Sequence, residues 1–573
     1  DWQFALRRSR LVEEGEDVAP LVLDGSRLYL RRNWVAAREV ADDLCERTRL
    51  SESSVSREQF AGLFELLFPS EVNEGSAASM DDGLDWQKIA CAVSLRYRFS
   101  IITGGPGTGK TWTMVKLLAL LQAVNQLEGH RRPLRVRLAA PTGKAAARMT
   151  ESVRNNFDQL PERFRDESWR PEDASTLHRL LGSRWGKKAF RHQRHDPVAA
   201  DVVIVDEASM IDLQMMQSLV RGLHPQTRLV LLGDKDQLES VEPGSVFGGL
   251  CRGADRYAFD PDLAEWLRAV SGESVEAVVD GESGAADRLF SIQPVMLRKA
   301  HRFNEAIASL AKAVNAGASD PAVELLDAGG REVTRIAPES PNDAALRKLL
   351  VGDGSDGYAR YLEVVRGPHW LNPDEASLAA EMAKRPEELE QWARECLRAF
   401  SGFQVLTGTH RGPWGVDETN SRIQRWLADQ TLVDAAGAWF HGRPVLITRN
   451  NYRTGLMNGD VGLCLRWPLE DGGTVLRVVF QKADGALHML STTRVADCRT
   501  AWAITVHKSQ GSEFGHVVLI LPDRPGRVLT RELIYTGLTR ARNRLTLVAP
   551  ELDVFRKAVS SRVRLTSTLV VQS

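Results

Sequence analysis

Residues 104–112 read GGPGTGKTW, and Gly104, Gly109, Lys110 and Thr111 fill the fixed positions of a phosphate-binding loop. Phe99–Thr103 just before it reads as a short buried strand. Met114, Leu117, Leu118 and Leu121 just after it recur at helical spacing. A glycine-rich turn in that setting lets successive backbone N–H groups of Gly105, Gly107, Thr108 and Gly109 face a phosphate chain, with the positive end of the helix behind them. Lys110 would reach the terminal phosphates of ATP, and the Thr111 hydroxyl would ligate Mg²⁺.

Hydrolysis needs acids as well. The run VVIVDEAS at 202–209 is an apolar strand ending in Asp206 and Glu207. At that place the first acid suits Mg²⁺ and the second suits a water to be oriented and deprotonated. A further strand-like run ends in GDKDQ, where Gln237 is placed to sense a γ-phosphate. LRKAHRF and YTGLTRAR in the later half each supply an arginine, Arg302 and Arg540, that could reach the same phosphate from a second domain. Such an arginine neutralises transition-state charge.

Two basic runs lack any acid: Arg131, Arg132, Arg135, Arg137, Lys144 and Arg148, then Arg179, Arg184, Lys187, Lys188, Arg191 and Arg194. Each reads either as a phosphate-facing patch or as a solvated face, with Trp185 and Phe190 available for base stacking. The net charge of −1 decides nothing about nucleic acid. An acid-rich stretch at 255–290 reads as a surface excursion, and 337–400 carries no assignable role.

The elements that must position these groups alternate between strands and helices. SIIT, RVRLAA, DVVIVD and RLVLLGD precede residue 235, and FQVLTG, VVLIL and RLTLVAP follow residue 400. That is too many for one sheet and predicts an α/β fold of two tandem parallel-sheet domains. The expected divisions are a small N-terminal domain at 1–75, a first ATPase domain at 76–294 and a second at 295–573. An antiparallel β module with an Asn458-Gly459 hairpin turn is inserted at about 430–497. An Asp24-Gly25 turn and a helix over 36–47 are expected in the leading segment.

With 573 residues, 43% of them hydrophobic, and no run of eighteen apolar residues, nothing suggests a membrane span. Six scattered cysteines without a C-x-x-C pair fit a reducing, cytoplasmic setting. The chain opens at Asp1 with no methionine, so the N-terminal domain is expected to be incomplete.

Taken together, DWQKIACAV, GGPGTGKT, LAAPTGKAAARM, ASTLHRLLG, VVDEASMID, LGDKDQLESV, LRKAHRF, TVHKSQGSEF and YTGLTRAR resemble the motifs of the superfamily 1 DNA helicases. Within them the pattern is most similar to the RecD family, the smaller motor subunits of the bacterial RecBCD helicase–nuclease (exonuclease V), over roughly residues 20–550. The resemblance implies RecA-like domains, an SH3-like insertion, and 5′→3′ ATP-dependent translocation on single-stranded DNA. It further implies a heterotrimer with RecB-like and RecC-like subunits acting at duplex ends in recombinational repair, with nuclease chemistry in a partner. It assigns adenine reading to Gln87 and DNA contact to Thr142, Gly143, His178, His507, Lys508 and Ser509. Trp112 and His301 depart from the residues usual in relatives, although neither position touches phosphate. Two other readings share the ATPase motifs: an RNA helicase, against which TVHKSQGSEF argues, and an architectural subunit whose ATP cycle moves no DNA.

Overall fold

A computed structural model describes residues 2–13, 18–48, 53–69, 83–183, 189–239, 246–254, 259–275, 294–299, 304–352, 356–367, 376–451, 453–482 and 485–562. At the N-terminus, β1 (Val12–Glu13), β2 (Leu21–Asp24) and β3 (Arg27–Leu30) form a small sheet. Asp24 pairs with Arg27 across a two-residue turn, and Gly25 there has φ 58°, a backbone setting that glycine adopts without steric cost. The helix that follows begins earlier than expected and spans Arg31–Arg47.

The first large sheet has six parallel strands in the order β6-β5-β7-β8-β4-β9. They are β4 (Phe99–Gly104), β5 (Val136–Ala140), β6 (Ser175–Thr176), β7 (Val202–Val205), β8 (Arg228–Gly233) and β9 (Val295–Leu297). Its faces can be read from alternation along each strand. Phe99, Ile101, Val203, Val205, Leu229 and Leu231 pack with Ala37, Val40 and Leu44 of the helix Arg31–Arg47 and with the helix Leu213–Gly222. Ile102, Val202, Ile204, Val230 and Leu232 pack on the other face against the helices Arg57–Leu67, Trp86–Arg96 and Lys110–Leu127. Burial on both faces is why these strands are continuous apolar runs.

Two expectations change here. The leading segment is no separate unit from residue 31 onward, since its helices cover the first sheet. Part of the acid-rich stretch is also core: the helix Pro261–Ser271 turns its acids outward and buries Leu263, Trp266, Leu267 and Val270 beside the helices just named. Residues 276–293 lie outside the described residues.

The second parallel sheet runs β10-β19-β18-β11-β17, from β10 (Val333–Ile336), β11 (Phe403–Thr407), β17 (Ala503–Thr505), β18 (Phe514–Ile520) and β19 (Ala541–Val548). Between β11 and β17 the chain builds an antiparallel sheet, β15-β14-β13-β12-β16. Its strands are β12 (Arg443–Ile447), β13 (Val461–Pro468), β14 (Thr474–Gln481), β15 (Leu487–Ser491) and β16 (Cys498–Thr500). Asn458-Gly459 is not a tight hairpin, because Leu446 pairs with Val461 and the whole stretch 448–460 forms the connection. The dipeptide instead shapes the turn at its end, where Gly459 has φ 97°. The unassigned 337–400 stretch supplies the helices Ala344–Val351, Gly357–Arg366 and Pro386–Ser401. They share one core with Val405, Val518 and Ile520 of the second sheet and Leu463, Leu465 and Val479 of the antiparallel one.

Arg47 ties the helix Arg31–Arg47 to the turn that leads into β8. Its side chain is 1% exposed, paired with Asp43 and donating to the carbonyls of His224 and Thr227 at 3.0 and 2.6 Å. Replacing it strands a carboxylate only 12% exposed and the buried Thr227 carbonyl. Arg47→Ala is therefore expected to lower stability by ~3 kcal/mol, read from the urea midpoint. An Asp43→Asn/Arg47→Met double should recover much of that, and a single-mutant loss below ~1 kcal/mol would show the pair to be hydrated.

Candidate active site

The site lies at the carboxyl ends of β7, β8 and β4, three neighbouring strands of the first sheet, where parallel α/β sheets place their ligands. The loop after β4 turns through Gly107 (φ 76°) and Gly109 (φ 85°) into the helix Lys110–Leu127. Lys110 Nζ donates to the carbonyls of Gly104 and Gly105 at 2.6 and 3.0 Å, which holds the ammonium over the loop. Thr108 Oγ1 donates to Gly105 O at 2.8 Å. The side-chain amide of Gln87 lies against Gly109, 2.6 Å from where a Cβ would stand. Crowding and positive φ together leave room for glycine only. A cradle of this shape suits a phosphate chain.

Asp206 ends β7, and its carboxylate accepts the Glu207 N–H at 2.8 Å. Burial, then the neighbouring Glu207 carboxylate, push it up to about 6 against the pull of Lys110. Glu207 itself has φ 53° and ψ 39°, a left-handed setting that a residue with a Cβ adopts at a cost of about 1 kcal/mol or more.

Sequence reasoning passed over Asp234, at the end of β8, as part of a turn. It is 2% exposed and central. One carboxylate oxygen accepts from Gln237 Nε2 at 2.9 Å and from the Tyr535 hydroxyl at 3.2 Å, and the other from the Asp236 N–H at 3.1 Å. Burial pushes Asp234 up to about 6, with Lys110 opposing and Asp236 adding. Tyr535 sits on the helix Arg531–Leu538 of the second domain, so this contact crosses the cleft.

Arg540 crosses it too. It is 2% exposed and donates to the carbonyls of Thr536 and Ser512, both at 3.2 Å, and to Gln237 Oε1. Burial pulls its guanidinium below the usual arginine range, with Glu207 among the charges that oppose the shift. Leu238 N–H donates to Thr536 Oγ1 at 2.8 Å, a further strut. Lys110, Asp206, Glu207, Gln237 and Arg540 are thus gathered at one place. Arg302 and Trp185 lie outside the described residues.

The expected DNA contacts divide. Thr142 Oγ1 caps the helix Gly143–Phe157 by accepting from Ala145 N–H at 3.2 Å. Gly143 is covered by Met457, whose Cγ would lie 3.2 Å from a Cβ there. Lys508 Nζ donates to Asn458 Oδ1 at 2.9 Å. The connection 448–460 therefore meets Gly143 of one parallel-sheet domain and Lys508 of the other. His507 is pushed down by burial, then by His410 and Lys508. His178 is exposed, its ring edge-on to Phe190 at 5.7 Å.

Ser509 is a correction: it is fully buried, and its hydroxyl donates to Val506 O at 2.7 Å, so its side chain is not offered to a strand of DNA. Of the two readings of the basic run at 131–137, its ion pairs favour the solvated face. Arg132 and Arg135 pair with Asp201, and Arg137 pairs with Glu172, at the opposite end of the sheet from the site. Arg148 works elsewhere. It donates to Gly511 O at 2.9 Å and pairs with Glu513 at 2.8 Å, another tie between the domains. Burial alone would raise Glu513, but Arg148 and Arg542 outweigh it and hold the carboxyl at about 2.

The raised acids carry a stability cost with a definite sign. Unfolded, Asp234 would titrate near ~4; folded, it titrates near 6. Between those values the native state holds the extra proton, so stability falls as pH rises through the window and the cost is complete above it. Asp234→Asn should raise the unfolding midpoint at pH 8 by the equivalent of ~2 kcal/mol. The gain should shrink toward pH 5, and a pH-independent difference would refute the assignment.

Comparison with known proteins fits this architecture. The AAA domain family matches residues 87–243, the UvrD-like helicase C-terminal domain matches 500–548, and the N-terminal domain of RecBCD enzyme subunit RecD matches 1–29. RecBCD enzyme subunit RecD of Mycolicibacterium smegmatis is 36% identical over 568 residues, covering 99% of this chain and 85% of its own. That of Haemophilus influenzae is 32% identical over 580, covering 99% and 84%. The ATP-dependent RecD2 DNA helicase of Deinococcus radiodurans is 28% identical over 450, covering 78% and 46%. Among solved structures, the Pif1 helicase of Candida albicans aligns at 16% identity with a TM-score of 0.38 over 85% of this chain and 98% of its own, too loosely to argue from. Full-length identity above 30%, with the phosphate loop and the cross-cleft arginine in place, establishes that this chain belongs to the RecD family of RecBCD enzyme subunits.

Proposed function

We propose that the chain is an ATP-driven DNA helicase that moves 5′→3′ along a single strand, as the motor subunit of a cytoplasmic complex with RecB-like and RecC-like partners in double-strand break repair. One observation carries the motor reading: Arg540, from the second domain, bonds Gln237 beside the phosphate loop of the first. A phosphate chain bound there is contacted from both domains, so its cleavage changes how the two domains hold each other. Separating base pairs costs ~1.4 kcal/mol per step, and a cleft that opens and closes once per ATP delivers free energy in such increments.

Each residue has a defined task. The loop from Gly104 to Gly109 cradles the phosphates, Lys110 neutralises the terminal ones, and Gln87 lies where a base attached to them would be met. Glu207 orients the attacking water and takes its proton. Gln237 holds Arg540, which with Arg302 compensates charge developing on the transferred group. Among the described residues no group of three or more His, Cys, Asp or Glu forms a metal site. Thr111 and Asp206 are hard oxygen donors that suit Mg²⁺ completed by phosphate and water. When bound, Mg²⁺ neutralises phosphate charge. Thr142, Gly143, His178, His507 and Lys508 form the tracking surface for DNA, joined by the connection 448–460.

Hydrolysis by the purified chain should rise strongly with single-stranded DNA and fall ~10²–10³-fold in Lys110→Gln. Arg540→Ala should cost ~10³-fold or more in kcat. Duplexes with a 5′ tail should be unwound and those with a 3′ tail left intact. Hydrolysis indifferent to DNA, in the chain and in its complex, would point to an architectural subunit instead.

A further inference from the structure

Tyr535 is absent from the roles assigned so far, yet its hydroxyl bridges the two domains. The side chain is 6% exposed and reaches from the helix Arg531–Leu538 to the Asp234 carboxylate. The carboxylate oxygen it meets is the one that also accepts from Gln237 Nε2. The opposite end of that amide, Oε1, receives the Arg540 guanidinium. Hydroxyl, carboxylate, amide and guanidinium therefore form a single chain of hydrogen bonds.

The other side of the hydroxyl faces the phosphate loop. A Cβ on Gly105 would stand 2.9 Å from it and meet nothing else within 4 Å among the described residues. Gly105 is not one of the glycines with positive φ, so its backbone would accept a side chain. What a side chain there would have to displace is the tyrosine oxygen, which stands against the loop from the second domain.

We propose that Tyr535 is a positioning residue for ATP hydrolysis: wedged between Gly105 and Asp234, its hydroxyl fixes the carboxylate that orients Gln237, and so sets where Arg540 points. The proposal rests on the ATPase reading above. A carboxylate holding both a hydroxyl and an amide has one orientation available. With the hydroxyl gone the Asp236 N–H still holds one oxygen, but the oxygen that meets the amide has lost its second donor, and the amide's anchor loosens. A shift of the loop at Gly105 is transmitted through the same oxygen to Arg540, which couples the state of the phosphate site to the group that acts on it.

The test uses the full chain with saturating single-stranded DNA in four forms: wild type, Tyr535→Phe, Gly105→Ala and the double. Tyr535→Phe should lower kcat ~10-fold while KM for ATP stays within about threefold. Gly105→Ala, by pushing the hydroxyl aside, should do similar damage, and the double should be no worse than the poorer single, because removing the oxygen makes room for the methyl. Wild-type kcat in Tyr535→Phe, a KM rise matching the kcat loss, or single costs that multiply in the double would each overturn the proposal. A purely structural tyrosine would lower the thermal midpoint and leave kcat per folded molecule unchanged. A wild-type chain that hydrolyses no ATP would remove the ATPase reading, whereas an active wild type with an equally active Tyr535→Phe removes this inference alone.

Discussion

A guanidinium removed from water must have its donors met, and for Arg540 two of the acceptors are carbonyls of its own domain while the third belongs to the other. That third contact makes the two parallel-sheet domains one catalytic unit. Without it each sheet has a complete core, and the first carries the phosphate loop with Lys110 but no charge from the other domain held beside it. The burial that makes Arg540 costly to hold also lowers the local dielectric, in which a charge acts more strongly than it would in water. The raised Asp206 and Asp234 show the same trade. Acids that would be more comfortable neutral are kept beside Lys110 in a site whose fold stability would rise without them.

Chemistry that depends on neighbours in sequence was legible from the sequence. The phosphate loop, the acid pair after β7 and the strand-ending GDKDQ are each formed by one strand and its turn, so pattern and position coincide. The long apolar strands were legible for the same reason, since a strand buried on both faces leaves an unbroken apolar run. What escaped depends on partners distant in the chain. Asp234 reads as a turn residue until Tyr535, some three hundred positions later, is brought against it. The arginines at 132 and 135 stay open between a phosphate-facing patch and a solvated face until Asp201 is folded between them. Ser509 shares its motif with Lys508, but the tight turn after Thr505 points one side chain out and the other in. The edge strands β9 and β10 have three and four residues, too short to stand out from the loops around them.

The resemblance carried the family and the order of the motifs, but not how tightly they are bound to one another. Arg148, Glu513 and Arg542 form an ion-pair chain between a first-domain helix and the second sheet, all within motifs already recognised. Its basic run offers Arg148 as a phosphate contact, yet it spends its charge on Glu513, which Arg542 shares. Residues that join domains and residues that touch ligands are drawn from the same short list of charged side chains. Only their partners tell them apart.

The core that the helices of 344–401 share with both the second parallel sheet and the antiparallel one has a mechanical consequence. Two sheets that sat on separate cores would be joined by a hinge, and strain at the tip of one would dissipate in the other. Here one face of the antiparallel sheet shares the core of the second sheet, while Val445, Ile447, Val478 and Phe480 pack in a cluster of their own, so the shared face ties the two sheets together. The antiparallel sheet moves with the second sheet, and its connection 448–460 is pinned at both sides, against Gly143 of the first domain and by Lys508 of the second. A rotation of one domain against the other is therefore felt at that connection as well as at the cleft.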